Sequence, residues 1–269
     1  MRLAVILDPL DSLKTYKDST YAIMLSAQQR GHHVFAIQQE DLYARDGQIR
    51  CSAQAIFIDD GAAQWFRLDE PFDADLGDFA FVLMRKDPPF DMEYIFSTYL
   101  LELAASHGAR VLNDPRAVRD HNEKLAIAKF FQFTAPTLVT RDAVRIRSFL
   151  SEHGSIVIKP LDAMGGSGIF KLVEGDANVN AAIETVSRLG KRTVMAQRYI
   201  EAIRAGDKRI LIIDGEVMPY ALARIPAADD FRGNLAAGAH GVAQPLSARD
   251  LEIAQTLAPT LKALDLFIV

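Results

Sequence analysis

Hydrophobic and polar positions alternate in blocks along the first third of the chain. The apolar run 3–7 predicts a strand, and Asp18 or Ser19 caps a helix that runs to Arg30 and ends at Gly31. Residues 34–37 predict the next strand. A further apolar run, 79–84, precedes the turn-forming Asp87-Pro88-Pro89, and a helix starts near Asp91. Met92, Ile95, Phe96, Tyr99, Leu100 and Leu103 fall on one stripe of that helix, and Gly108 stands just past its end. Val111 and Leu112 open a short strand. Such alternation predicts a parallel sheet wrapped by helices, with its ligand crevice at the carboxyl ends of the strands.

The pattern changes after Asn113. Asn122 caps a predicted helix through Phe131, 138–140 is strand-like, and 143–150 suits a helix. Residues 156–160, Met164-Gly165-Gly166-Ser167-Gly168 and 169–173 then read as strand, glycine-rich loop, strand. Residues 194–200 predict another strand, and 209–213 and 217–223 form a hairpin through Asp214-Gly215. Residues 226–245 predict a long loop, of a length that is usually functional or disordered. Ser247 with Asp250 starts a helix whose Ile253, Leu257, Leu261 and Leu264 share a face, and 266–269 opens a buried strand.

Composition narrows the function classes. With 49% hydrophobic and 24% charged residues, the chain is of ordinary soluble type. A formal charge of -5 argues against broad nucleic-acid binding, yet leaves room for a local cation cluster that grips a small anion. A single cysteine, Cys51, allows neither an internal disulfide nor a thiolate metal cluster. The run 3–7 is too short for a signal or a membrane span, so the expected location is cytoplasmic, with neither nucleic acid nor membrane as partner.

The glycine-rich loop is the first chemical signal. Glycines let backbone N–H groups approach phosphate oxygens and tolerate positive φ; a flexible hairpin turn is the plainer alternative. The loop is neither a Walker A loop nor a Rossmann glycine pattern, since both lead into a helix and this one leads into a strand. Lys159 ends an apolar strand just before it, and Lys124 lies on the first turn of a predicted helix, so both can serve the same phosphates. Each taken separately reads as a surface lysine. Arg85, Arg209, Arg224 and Arg232 stand at strand ends or in the long loop. A guanidinium fork suits carboxylate and phosphate; strand-end solvation or a structural ion pair is the alternative.

Six stretches give this chain its kinship: Leu83-Met84-Arg85-Lys86-Asp87-Pro88-Pro89-Phe90-Asp91, Asn122-Glu123-Lys124-Leu125, Lys159-Pro160-Leu161-Asp162-Ala163-Met164-Gly165-Gly166, Gly206-Asp207-Lys208-Arg209, Ala223-Arg224-Ile225-Pro226 and Arg232-Gly233-Asn234-Leu235-Ala236-Ala237-Gly238. In this order they resemble bacterial glutathione synthases, over the full chain. The resemblance implies an ATP-grasp fold: an N-terminal α/β domain at 1–121, a small subdomain with the glycine loop at 122–200, and a C-terminal subdomain at 201–269 with a lid at 226–245. It implies that Lys124 and Lys159 bind ATP phosphates, that Gly165, Gly166, Ser167 and Gly168 cover them, and that Gln197, Tyr199 and Ile200 lie near the adenine.

By the same resemblance, Arg85, Arg209, Arg224 and Arg232 serve peptide substrate, product or transferring phosphate, the last three also as catalytic groups. The implied reaction ligates γ-glutamylcysteine with glycine at the expense of ATP, through an acyl phosphate, in a homotetramer. None of the six histidines is assigned a catalytic role. In the family the sequence continues past the position of Val269 through an Asp-bearing strand and a Glu-x-Asn segment that hold Mg2+. The metal ligands are therefore expected beyond Val269, none is assigned within the chain, and its C-terminal end reads as truncated. Two alternatives stay open: another ATP-grasp carboxylate–amine ligase, and a non-catalytic nucleotide-binding remnant.

Overall fold

A computed structural model describes residues 1–228 and 230–269. Its contacts divide the chain into two units, residues Met1–Asp120 with Ala263–Phe267, and His121–Lys262 with Ile268–Val269.

In the first unit, β1 (Arg2–Ile6) is followed by α1 (Ser19–Gln29), β2 (His33–Ile37), β3 (Leu42–Arg45), β4 (Gln48–Ile58), β5 (Phe66–Leu68), β6 (Phe72–Asp75), β7 (Phe81–Met84), α2 (Met92–Ser106), β8 (Val111–Leu112) and α3 (Pro115–Asp120). The sheet runs β3-β4-β2-β1-β7-β8, and β2, β1, β7 and β8 are parallel neighbours. The parallel core is the one the sequence pattern predicts. Beyond it, β4 pairs antiparallel with β2, β3, β5 and β6, an extension the sequence reading left out. Its signal was present: Asp46 and Gly47, both at positive φ, form the two-residue turn between β3 and β4.

The caps fall where side-chain chemistry puts them. Asp18 accepts the N–H of Thr20 at 2.7 Å and of Tyr21 at 3.2 Å, which starts α1, and Asp91 accepts the N–H of Tyr94 at 3.0 Å at the start of α2. The buried face of α2 is not the predicted stripe. Met92, Phe96 and Tyr99 are 57%, 49% and 51% exposed, whereas Ser97, Thr98, Leu101 and Ala104 are buried. The two hydroxyls tolerate burial because they donate back to helix carbonyls, Ser97 to Glu93 at 2.9 Å and Thr98 to Ile95 at 2.7 Å.

The second unit holds β9 (Thr137–Thr140), α4 (Ala143–His153), β10 (Ser155–Pro160), β11 (Phe170–Val173), α5 (Val179–Ser187), β12 (Val194–Arg198), β13 (Asp207–Ile213), β14 (Glu216–Ile225), β15 (His240–Pro245) and α6 (Ala248–Ala263). The antiparallel sheet β11-β10-β12-β9 packs α4 and α5 against one face through Ile146, Leu150, Ile156, Ile158, Ile183 and Val194. The antiparallel sheet β13-β14-β15 packs Ile212 against Ala254 and Ala258 of α6.

Three expectations need correcting here. Residues 125–133 form a 3-10 helix interrupted at Phe130, where φ is -128° and ψ is 40°; Asn122 still caps it, accepting the N–H groups of Lys124 and Leu125. The predicted loop 226–245 ends early, because His240–Pro245 joins β14 as β15; Asp229, within that loop, lies outside the described residues. Residues 266–269 do not form a full strand: Ile268 makes an isolated antiparallel bridge to Ile213, while Ile212 and Val269 exchange backbone hydrogen bonds of 2.8 and 3.0 Å.

Candidate active site

Strand pleat decides which side chains of the second unit are free for chemistry. Ile156 and Ile158 of β10 enter the core under α4 and α5, so Val157 and Lys159 take the opposite face. Antiparallel register sets Val157 beside Lys171 of β11 and Gln197 of β12, and Lys159 beside Met195. Lys159 Nζ donates to Gln197 Oε1 at 2.6 Å, and Gln197 Nε2 donates to Thr137 Oγ1 at 2.9 Å. Burial, and next the neighbouring Lys124 cation, lower the Lys159 pKa from its ordinary 10.5; Glu123 opposes them.

Lys124 reaches the same region from the chain that precedes β9. Its Nζ pairs with Glu123 and donates to the carbonyl of Ala163, immediately before the glycine loop. Within the loop Gly165, Gly166 and Gly168 all have positive φ, and their amides donate to no backbone carbonyl among the described residues. Ser167 N–H closes the turn onto Met164 O at 3.1 Å. Two lysines and a row of uncommitted amides thus meet at one place.

The long loop docks on this turn. Arg232 Nη1 donates to Gly166 O at 3.3 Å, and a Cβ at Gly166 would stand 2.9 Å from Asn234 Oδ1. Glycine suits 166 through its φ of 86°, and any added Cβ would also displace the Asn234 side chain. Arg232 is also paired with Asp230 at 2.6 Å, a partnership that brings the Asp230 pKa down to about 2. On the β13-β14-β15 sheet, Lys208 sits on the face of α6 and pairs with Asp250 at 2.6 Å. Asp207, Arg209, Leu222 and Arg224 alternate to the opposite face. Arg224 forms two parallel hydrogen bonds with Asp207, both of 2.7 Å, and Gly233 of the long loop passes over Asp207 so closely that a Cβ would lie 2.8 Å from its Oδ2.

The remaining candidates are less convergent. Tyr199 follows β12, with Lys171 Nζ 3.6 Å from its ring centroid and Phe231 edge-on at 6.4 Å. Ile200 is half exposed and leads into the short helix Glu201–Ala205. Arg209 is exposed on β13. Arg85 belongs to the first unit, where it donates to Ser19 Oγ at 2.8 Å and Thr20 Oγ1 at 3.2 Å. The sequence reading did not name the carboxylates that hold Arg224 and Arg232 as partners, nor Asn234 and Thr137. Their signal was weak, since Asp230 is one of two consecutive aspartates in a loop and Thr137 one threonine in a strand. Among the described residues no three acidic, histidine or cysteine groups converge as a metal site.

Antiparallel sheets carrying a desolvated lysine beside a second lysine, and a glycine turn closed over by an arginine-bearing loop, belong to an ATP-dependent ligase of the ATP-grasp type, the class that the family match below shows. The same fold occurs in D-cycloserine synthetase DcsG, at a TM-score of 0.66 and 18% identity over 100% of this chain and 83% of that one. It occurs also in D-alanyl-alanine synthetase A from Vibrio cholerae, at a TM-score of 0.58 and 16% identity over 98% and 80% of the two chains.

The prokaryotic glutathione synthetase N-terminal domain family matches residues 1–119, and the prokaryotic glutathione synthetase ATP-grasp domain family matches residues 123–269. The chain belongs to the prokaryotic glutathione synthetase family. It is 53% identical to the glutathione synthetase of Nitrosomonas europaea, over 100% of this chain and 85% of the relative, and 52% identical to that of Ralstonia nicotianae, over 100% and 83%. No helix among the described residues is long and apolar enough to cross a membrane.

Proposed function

We propose that the protein ligates γ-glutamylcysteine to glycine, with Lys124, Lys159 and the 165–168 turn holding the ATP phosphates. The cysteinyl carboxylate attacks the terminal phosphorus, ADP leaves, and the resulting acyl phosphate is attacked by the neutral amine of glycine, releasing phosphate. A carboxylate is a poor electrophile and both partners of the first step are anions, so the site must align them and offset their charge. Lysines and arginines meet that need, and a closing lid shields the acyl phosphate from water.

The observation that carries this reading is the burial of Lys159 beside a second cation, Lys124, which is itself tied to the glycine turn. Two ammonium groups held together at a cost are stabilised when a polyanion arrives. Arg209, Arg224 and Arg232 are assigned to the reacting carboxylate and phosphate. Arg224 and Arg232 are kept oriented by Asp207 and Asp230 until a ligand competes for them. Gln197, Tyr199 and Ile200 are assigned to the nucleotide base side, within a division of the ligase part at 122–200 and 201–269. Mg2+ enters as the counter-ion that accompanies ATP, with no step assigned to it.

The test is ADP release, followed with γ-glutamylcysteine and glycine against other acid and amine pairs. Turnover that needs both expected substrates supports the reading; equal or greater turnover with a different pair assigns the protein another ligation. The cytoplasm is the proposed location. A homotetramer is the proposed assembly, and sedimentation at about four times the 29.7 kDa chain mass checks it, a monomer being the contrary result.

A further inference from the structure

A lysine that must meet a phosphate carries its charge on a flexible stem, and something has to aim it. In the sheet β11-β10-β12-β9 the residue directly opposite Lys159 is Met195, whose sulfur is only a weak acceptor. The partner of Lys159 is instead its diagonal neighbour on β12, Gln197, whose Oε1 accepts from Nζ at 2.6 Å. An ammonium has three N–H groups, and the other two of Lys159 have no protein acceptor among the described residues. One donor is held by the sheet and two are left for a ligand.

A row of hydrogen bonds across β12 and β9 decides which end of Gln197 faces Lys159. Thr137 stands opposite Gln197 in the register of the two strands. Its hydroxyl has a single proton, donated to the carbonyl of Ala135 at 2.8 Å. Toward Gln197 it has only lone pairs to offer, and it accepts from Nε2 at 2.9 Å. The amide nitrogen of Gln197 is thereby committed to Thr137, and the amide oxygen is left for Lys159. The backbone fixes the next rung, where Arg198 N–H donates to Pro136 O at 3.0 Å.

The opposite arrangement is poorer at both ends. Turning the amide over sets an NH2 group against an ammonium, and brings the Gln197 oxygen onto the Thr137 oxygen unless the hydroxyl abandons Ala135. Burial and the neighbouring Lys124 already disfavour charge on Lys159, with Glu123 opposing them. The amide oxygen of Gln197 is the one side-chain acceptor that Lys159 has among the described residues.

We infer that Thr137 is a positioning residue for ATP: through Gln197 it fixes the ammonium of Lys159, so that the phosphates meet a cation already aimed. This rests on the function proposed above, in which Lys159 holds the ATP phosphates. For Gln197 it adds a task to its place on the base side. Thr137 brings no charge of its own, so its loss weakens ATP binding only as far as Gln197 transmits it.

Calorimetry of ATP binding, with Mg2+ present, tests the row on four forms of the full chain: unmodified, Thr137→Val, Gln197→Met and the double variant. Valine keeps the shape of threonine without its hydroxyl, and methionine keeps the length of glutamine without its amide. Thr137→Val is expected to weaken ATP binding about 3- to 10-fold, the effect of one lost hydrogen bond, and Gln197→Met by at least as much. The double variant is expected to be no weaker than Gln197→Met, because Thr137 acts only through Gln197. Thr137→Ser, which keeps the hydroxyl, is expected to recover most of the loss. Unchanged affinity in Thr137→Val, or losses that add in the double variant, overturns the inference. Should Thr137→Val fold poorly, Gln197→Met decides, since full ATP affinity there overturns it as well. The readout needs no ligation. The expected pattern in a protein that does not join γ-glutamylcysteine to glycine refutes those substrates and spares the inference, whereas unmodified protein that binds no ATP refutes both.

Discussion

At the scale of single residues, the side chains that matter most are those whose charge is costly where it stands. Lys159 is desolvated and faces another ammonium, so its folded pKa lies below its unfolded value. The sign of the linkage follows: burying the charged lysine opposes folding at every pH below the folded pKa, and this cost disappears as pH rises through the ordinary value of 10.5. Lys159→Met is therefore expected to lower kcat by about 10²- to 10³-fold, the usual effect of deleting one electrostatic stabiliser, without lowering the melting temperature. In the unmodified protein ATP affinity should weaken as pH rises, and should begin to do so before the ordinary lysine value of 10.5 is reached; calorimetry across pH measures this. Near-normal turnover of Lys159→Met counts against its role. That Lys159 stands beside the glycine turn was legible in the sequence, because it ends an apolar strand just before that turn; that Lys124 reaches the carbonyl of Ala163 depends on tertiary packing. The carboxylates that orient Arg224 and Arg232 were not, since an ion pair depends on strand register and loop docking that no local pattern encodes.

At the scale of elements, the docking of the long loop on the glycine turn is the feature most open to disruption. Gly166→Ala forces a side chain into positive φ and sets a methyl group 2.9 Å from Asn234 Oδ1. The combined strain is about 1–2 kcal/mol and falls on the contact between the two loops. The expected outcome is a higher KM for ATP, with the melting temperature lowered by a few degrees at most. An unchanged KM shows that the turn does not line the nucleotide site.

The parallel strands β1, β2, β7 and β8, the caps at Asp18 and Asp91 and the Asp214-Gly215 hairpin were readable because each rests on a local rule. The buried face of α2 was misread, since apolar periodicity assumes that apolar means buried, and here two self-satisfied hydroxyls take the core positions instead. The strand β15 was hidden because Gly241 and its small neighbours look like loop in sequence. They suit a strand that passes close over Leu222, whose Cδ1 would be 2.9 Å from a Cβ at position 241.

At the scale of the whole molecule, the family was legible because its six stretches recur in order from the first unit into the second, and the relatives align over the full chain. A single fragment would not have sufficed: a glycine turn alone is only a turn, and an arginine alone is only a surface charge. What makes the ligase account testable as a whole is the acyl phosphate, because that intermediate requires one oxygen of the peptide carboxylate to leave with the phosphate. The decisive measurement uses γ-glutamylcysteine labelled with oxygen-18 in the cysteinyl carboxylate, with glycine and ATP, and reads the mass of the released phosphate. The account predicts one labelled oxygen in each phosphate formed. Unlabelled phosphate, released at the same rate as ADP, contradicts it.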